Sequence, residues 1–192
     1  MKTNGCDFIP KCYLSKHHID WRNMFITGLP PIISESSRVL ILGSIPGPES
    51  LRRQQYYAGP GNRFWWIMGQ LFHDPDLQQQ AYAERVVFLH EHGIALWDVL
   101  DNCIRPGGAD SAIKSPAAND FSSLLKQYPN IKNLFFNGQK AWNEFPANKS
   151  LETFWLPTES LPSTSGSNQF HYPNDRLLLA WNPLAKSLLP EV

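Results

Sequence analysis

The stretch Arg38–Trp66, RVLILGSIPGPESLRRQQYYAGPGNRFWW, decides the fold. Its opening run, Val39-Leu40-Ile41-Leu42, is apolar without a break, the pattern of a strand buried on both faces of a sheet. The chain then turns into a loop of glycine, proline and serine and ends in an aromatic run that reads as a helix start. Four arginines (Arg38, Arg52, Arg53 and Arg63) stand against one acid, Glu49, with Tyr56, Tyr57 and Asn62 among them. A strand that delivers a polar, aromatic and basic loop to a sheet edge is how open α/β folds build ligand sites.

Working outward, strands and helices alternate. Asn62 is a good N-cap for a helix whose apolar stripe is Phe64, Trp65, Ile67, Met68, Leu71 and Phe72, ended by His73-Asp74-Pro75. Leu77 to His92 reads as a second helix closed by Gly93, and Gly93 to Trp97 as a short buried strand. A polar loop is expected from Asp98 to Ala118. Asn119 or Asp120 can cap a helix to Tyr128. Ile131 to Phe136 reads as a further buried strand, followed by a short helix over Gly138 to Phe145. A strand is expected within Phe154 to Leu161, and helix over Asp175 to Leu189, kinked or split by Pro183. This alternation predicts an α/β fold: one three-layer α/β/α domain around a central, mostly parallel sheet.

At 192 residues, 42% of them hydrophobic, the chain is long enough for a single domain with a full core. No apolar run is long enough to span a bilayer, and the start MKTNGCDFIPKC lacks a signal-peptide pattern, so a cytoplasmic protein with no membrane partner is expected. Three scattered cysteines do not make a disulfide framework. Cys6, Cys12, His17 and His18 have metal-ligand chemistry but poor ligand spacing, so no metal is expected. Formal charge is zero, with 17 basic and 17 acidic residues, which argues mildly against nucleic acid as a partner, although a local basic face can still meet phosphates.

Gly43-Ser44-Ile45-Pro46-Gly47 is neither a dinucleotide fingerprint nor a P-loop, lacking the third glycine and the Lys-Ser/Thr pair. It is not a serine-hydrolase elbow either, because Ser44 follows Gly43 directly. What remains is a loop of backbone amides, one carboxamide, aromatic faces and arginines. Amides and a ring can hold a planar heterocycle by edge and face, and arginines with small hydroxyl residues suit phosphate oxygens. A second loop, Leu161 to Asn168, offers serine and threonine hydroxyls and a glycine. Two such loops at strand ends would pinch a nucleic-acid backbone.

The ordered set GSIPG, YYAGPGNRFW, FFNG at Phe135 to Gly138 and LPSTS at Leu161 to Ser165 resembles the uracil-DNA glycosylase superfamily. It is similar to the mismatch-specific uracil/thymine glycosylases and more so to the hypoxanthine-DNA (deoxyinosine) glycosylase branch, through ILGSIPG, QYY, GIALWDV and LPSTS. The resemblance covers residues 28–192 and leaves residues 1–27 as an N-terminal extension. It implies base excision repair: a monomer that flips a deaminated base out of DNA and hydrolyses its N-glycosidic bond, with no cofactor. The mismatch-specific relatives carry a catalytic asparagine where this chain has Ile45, which cannot orient water. The resemblance then places catalysis on Asn62. It places the stacking ring at Tyr57, backbone pocket contacts at Ser44, Ile45 and Gly47, and Gln55 and Tyr56 at the mouth. Ser163, Thr164 and Ser165 are implied to contact phosphates flanking the lesion. Arg52 and Arg53 read as a solvated face, except that they flank the pocket, and with Gln55, Ser167 and Asn168 they are candidate DNA contacts. Relatives push an arginine or leucine into the gap left by the base. Here that region reads Gly166-Ser167-Asn168, which implies a small wedge or one supplied from elsewhere.

Read without the resemblance, Asn62 is explained by helix capping, Asp98 by a loop anchor and Asn137 by turn chemistry before glycine. Three rival functions stand beside hypoxanthine excision: a uracil-preferring mismatch glycosylase, a module that binds damaged DNA without cutting it, and a small-molecule nucleotide binder.

Overall fold

The computed structural model describes residues 25–106, 112–145 and 156–189. In chain order these form strand Phe25–Thr27 (β1), strand Val39–Gly43 (β2), helix Pro48–Arg53 (α1), helix Phe64–Leu71 (α2), a 3-10 turn at Leu77–Gln79 and helix Tyr82–Glu91 (α3). Strands Ile94–Asp98 (β3), Leu100–Ile104 (β4) and Lys114–Ala118 (β5) come next, then helix Phe121–Gln127 (α4) and strand Asn133–Asn137 (β6). Helix Gln139–Glu144 (α5), strand Thr158–Leu161 (β7), a 3-10 turn at Gly166–Asn168 and helix Asn174–Ser187 (α6) complete the described chain.

β2, every residue of which is buried, lies in a four-stranded parallel sheet of order β3-β2-β6-β7. Successive strand side chains point to opposite faces, so β2 serves two cores at once. Val39 and Ile41 pack with Phe64, Ile67 and Met68 of α2, Leu89 of α3 and Trp181 of α6. Leu40 and Leu42 pack on the other face with Phe121, Leu124, Phe136 and Phe145. Helices thus cover both faces, and the expected α/β/α layering is the architecture observed.

The chain runs from β2 outward to β3, then returns across to β6 on the other side of β2. The β2/β6 boundary is therefore where strand order reverses, and in open parallel sheets ligands bind outside the carboxyl ends of the strands at such a boundary.

Several expectations need correction. The polar loop expected over Asp98 to Ala118 instead contains β4 and β5, which join β1 in a small antiparallel sheet. All of β5 is exposed and it includes Pro116, so it carries none of the apolar alternation that marks a strand. β1 lies inside the stretch assigned to the extension and pairs with β4. The helix expected over Leu77 to His92 is broken at Gln80, which is extended, and restarts at Tyr82 with the Glu84 carboxylate accepting the Ala81 N–H at 2.9 Å. Pro183 does not split α6, because Trp181 and Leu184 on either side are buried and packing holds the turn together. α1, unforeseen within the loop, starts on Pro48, whose fixed φ suits a first helical position. Asp120 does cap α4, accepting the Ser123 N–H at 3.0 Å. Cys6, Cys12, His17 and His18 lie outside the described residues.

Among the described residues, no helix is long and apolar enough to cross a membrane, and no cluster of three or more His, Cys, Asp or Glu could hold a metal ion.

Candidate active site

A cleft of about 630 Å³ opens at the carboxyl ends of the parallel strands. Each strand contributes its terminus or the loop beyond it: Gly43 to Ser50 after β2, Asp98 ending β3, Asn137 ending β6, and Ser163 to Ser167 after β7. The segment before α2 adds Tyr56, Tyr57, Gly59, Pro60 and Asn62, and α5 adds Lys140. That volume is typical of a small-molecule or single-base site.

A chain of hydrogen bonds fixes the amide of Asn62. Asn137 grips Thr164 at two points: its Oδ1 accepts the Thr164 N–H at 2.9 Å, and its Nδ2 donates to Thr164 Oγ1 at 2.9 Å. The Thr164 hydroxyl donates its one hydrogen to Asn62 Oδ1 at 3.0 Å. The Phe64 N–H at the start of α2 donates to the same oxygen, also at 3.0 Å. With Oδ1 accepting twice, Asn62 has only its NH2 group left for the cleft that it lines. The arrangement therefore offers a donor, not an acceptor. Asn62 does stabilise the start of α2, but from one residue before Arg63, the N-cap itself.

This network corrects the reading of Thr164. Its side chain is fully buried and committed to Asn137 and Asn62, and its N–H is used as well, so it positions Asn62 instead of facing a phosphate. Ser163 and Ser165 line the cleft and remain half-buried, as the phosphate reading requires. Ser167 is exposed, with its hydroxyl 2.9 Å from that of Ser165.

Two glycines make these loops possible. Gly138 has φ +99°, and a Cβ there would stand 2.9 Å from Ser163 Cβ, so the β6 and β7 loops touch only because position 138 has no side chain. Gly138→Ala is expected to cost about 1–3 kcal/mol, the usual range for a residue forced into such backbone. It should also lower activity by pushing Ser163 outward, which denaturant melts and an excision assay would register together. Gly166 approaches Gly61 as closely, a Cβ on it falling 3.0 Å from Gly61 O, which joins the rim of the cleft to the segment carrying Asn62.

Tyr57 takes left-handed backbone, φ +55°, unusual for an aromatic residue and a sign of a constrained position. Its ring stacks on Phe64 with centroids 4.0 Å apart and 22° between planes. Its hydroxyl is buried near Gly43 and Asp98: a Cβ on Gly43 would lie 2.2 Å from Asp98 Oδ1 and 3.3 Å from Tyr57 Oη. Burial, then the charge of Asp98, pushes the Tyr57 phenol above its ordinary range, so it stays protonated at neutral pH. Asp98, only 3% exposed, puts a carboxylate in the cleft floor, where the sequence had suggested a loop anchor. Its backbone carbonyl does anchor the loop, accepting from Asn119 Nδ2 at 2.8 Å. Asn137, for which turn chemistry is the sequence expectation, likewise ends its strand at the cleft. The signal that finds both is their place: polar residues ending buried parallel strands.

Ile45, Ser44 and Gly47 line the cleft, Ile45 with its side chain in the second core. Tyr56 does not stand at the mouth. It is 3% exposed, and its hydroxyl lies 3.1 Å from Leu29 O and 3.2 Å from Pro30 O, holding the start of the domain. Gln55, half-buried, is not among the residues around the cleft.

The basic character of the opening stretch does not reach the cleft. Arg38 is exposed beside Gly93 at the far end of β2. Arg63 is buried and donates through Nη1 to Tyr172 O at 2.6 Å and Asn174 Oδ1 at 3.3 Å. Arg52 and Arg53 are exposed and both bind Glu49, whose carboxyl their hydrogen bonds hold down at about 2. Glu49 itself lines the cleft, as does Lys140, 2.7 Å from Glu144.

Residues 30–185 match the family model described as the uracil DNA glycosylase superfamily. The chain is 40% identical over 146 residues to a hypoxanthine DNA glycosylase of Methanosarcina acetivorans, covering 76% of this chain and 90% of that one. It is 41% identical to the hypoxanthine DNA glycosylase of Methanosarcina barkeri over 74% of this chain and 87% of that one. A G/U mismatch-specific uracil DNA glycosylase of Schizosaccharomyces pombe is 25% identical over 62% of this chain and 37% of its own length. Among solved structures, the solution NMR structure of a provisionally named uracil DNA glycosylase from Methanosarcina acetivorans superposes with a TM-score of 0.75. It is 36% identical and covers 86% of this chain and 99% of that one.

Proposed function

Since the chain belongs to the uracil DNA glycosylase superfamily, we propose that it hydrolyses the N-glycosidic bond of deaminated bases in DNA, chiefly hypoxanthine. The observation that carries this reading is the Asn62 amide, clamped by Thr164 and Phe64 so that its NH2 group faces a single-base cleft. Its two relatives named as hypoxanthine DNA glycosylases support the choice of base.

The base enters the cleft from outside the stack, because an enzyme cannot reach the glycosidic bond inside a duplex. The Tyr57 ring, backed by Phe64, offers a flat surface at the cleft wall for the base. As the bond from sugar C1′ to the base breaks, positive charge develops on the sugar and negative charge on the base. Asn62 Nδ2–H donates to the base as that charge builds. Water adds its oxygen to C1′, and the departing base takes up a proton. A neutral amide is a poor proton acceptor, so its contribution is electrostatic and positional. The Asp98 carboxylate adds negative charge in the cleft floor.

The test is a single-turnover excision assay on duplexes carrying one deoxyinosine or one deoxyuridine, with alkaline cleavage of the abasic product. Faster release of hypoxanthine is expected. Faster release of uracil would move the chain to the uracil-preferring reading, and binding without cleavage of either would make it a damage-binding module. Tight binding of free nucleotides in place of DNA would favour the nucleotide binder.

A further inference from the structure

We propose that Phe170 is the wedge that fills the gap left in the duplex by the extruded base, a step that rests on the glycosylase reading above. Phe170 is 90% exposed, more than any other large apolar side chain among the described residues. Single exposed apolar residues are ordinary on protein surfaces, so exposure alone decides nothing. The location and the bracing of this one do.

Phe170 lies three residues beyond Ser167, which lines the cleft, and its own turn is tied down on both sides. Asn168 donates from its backbone to Ser165 O at 3.0 Å and from Nδ2 to Ser163 O at 2.9 Å, and Gln169 N–H reaches Gly166 O at 3.2 Å. Beyond the ring, the Tyr172 N–H returns to Asn168 O at 3.0 Å, and Arg63 Nη1 holds Tyr172 O at 2.6 Å. The Tyr172 ring packs against the core, with the Arg176 guanidinium 4.8 Å from its centroid. An apolar ring is thereby held in water on a fixed turn that is continuous with the wall of the base cleft.

Proteins that unstack DNA insert apolar side chains of this kind between base steps. Gly166, Ser167 and Asn168 are too small or too polar to fill a vacated stack, and Phe170 is the first large apolar residue after them. Its neighbour His171, with ring centroids 5.4 Å apart, adds a second aromatic at the same tip.

The experiment compares the wild type with Phe170→Ala and Phe170→Leu on deoxyinosine in a duplex and in the same sequence as a single strand. A 2-aminopurine beside the lesion reports base extrusion by fluorescence. Because only the duplex needs its gap filled, Phe170→Ala should slow excision from the duplex by about tenfold or more, as the loss of a base-step wedge implies, with a much smaller change on the single strand. Phe170→Leu should recover much of the duplex rate, and the 2-aminopurine signal should fall with Phe170→Ala. Equal rates on both substrates for Phe170→Ala and wild type, or an equal loss on both, would overturn the proposal. If the wild type cleaves neither substrate, the glycosylase reading fails first. The fluorescence then decides the wedge: a rise on wild-type binding that Phe170→Ala lacks supports it, and identical signals refute it.

Discussion

Asn62→Asp is expected to fold like the wild type and to excise hypoxanthine about 10²–10³-fold more slowly, the usual loss when one preorganised donor to developing charge is removed. The substitution is chosen for what it keeps. An aspartate oxygen can still accept the Phe64 N–H at the start of α2 and the Thr164 hydroxyl, the two bonds that Oδ1 now makes. Only the NH2 group facing the cleft disappears, and an anionic oxygen replaces it where negative charge must build on the base. Asn62→Ala removes the acceptor as well and should lose about 1 kcal/mol of stability on top of the rate, the typical value of a helix-start side chain. The pair separates the structural role from the chemical one: equal melting of Asn62→Asp and wild type with a large difference in single-turnover rate assigns the rate to the amide hydrogens.

Trp181→Ala should cost about 3–5 kcal/mol, the range for deleting a buried aromatic side chain. Trp181 is fully buried in α6, meets Phe64 edge-on at 6.1 Å and donates from Nε1 to Pro162 O at 2.9 Å. The loss has two parts, a cavity in the core above β2 and an orphaned carbonyl at the root of the loop that carries Ser163 to Ser167. Trp181→Phe keeps most of the volume and drops the hydrogen bond. It should melt closer to the wild type yet lower excision on DNA, because the loop bearing Thr164 loses a tether. Urea unfolding and the excision rate, measured on both variants, check the division between packing and tethering.

The inner part of the central sheet was legible because burial on two faces leaves an unmistakable mark: Val39 to Leu42, Ile94 to Trp97 and Leu134 to Phe136 are unbroken apolar runs, whereas the edge strand Thr158–Leu161 is polar and mostly exposed. The small antiparallel sheet was not, since Lys114–Ala118 is exposed along its whole length and Phe25–Thr27 is only three residues long. The arginines misled for a related reason. Sequence shows charge but not direction, and in the fold Arg63 turns inward to Tyr172 while Arg52 and Arg53 neutralise Glu49. Asn62 lines the cleft, but the reason for its orientation was not legible, because it lies in long-range bonds from Thr164, themselves set by Asn137. Thr164 looked like a phosphate contact from its place in LPSTS and proves to be a buried positioning residue. Tyr56, expected at the mouth, holds Leu29 and Pro30 from within the core, and Asp98 anchors its loop through its carbonyl while its carboxylate lines the cleft.

The most direct test of the account is the single-turnover release of hypoxanthine from a duplex with one deoxyinosine, run beside a deoxyuridine duplex with wild type and Asn62→Asp. The account predicts strand breakage at the deoxyinosine after alkali, faster than at deoxyuridine, and a fall of about 10²–10³-fold with Asn62→Asp. No breakage at deoxyinosine by folded wild-type protein, or undiminished breakage by Asn62→Asp, would contradict it.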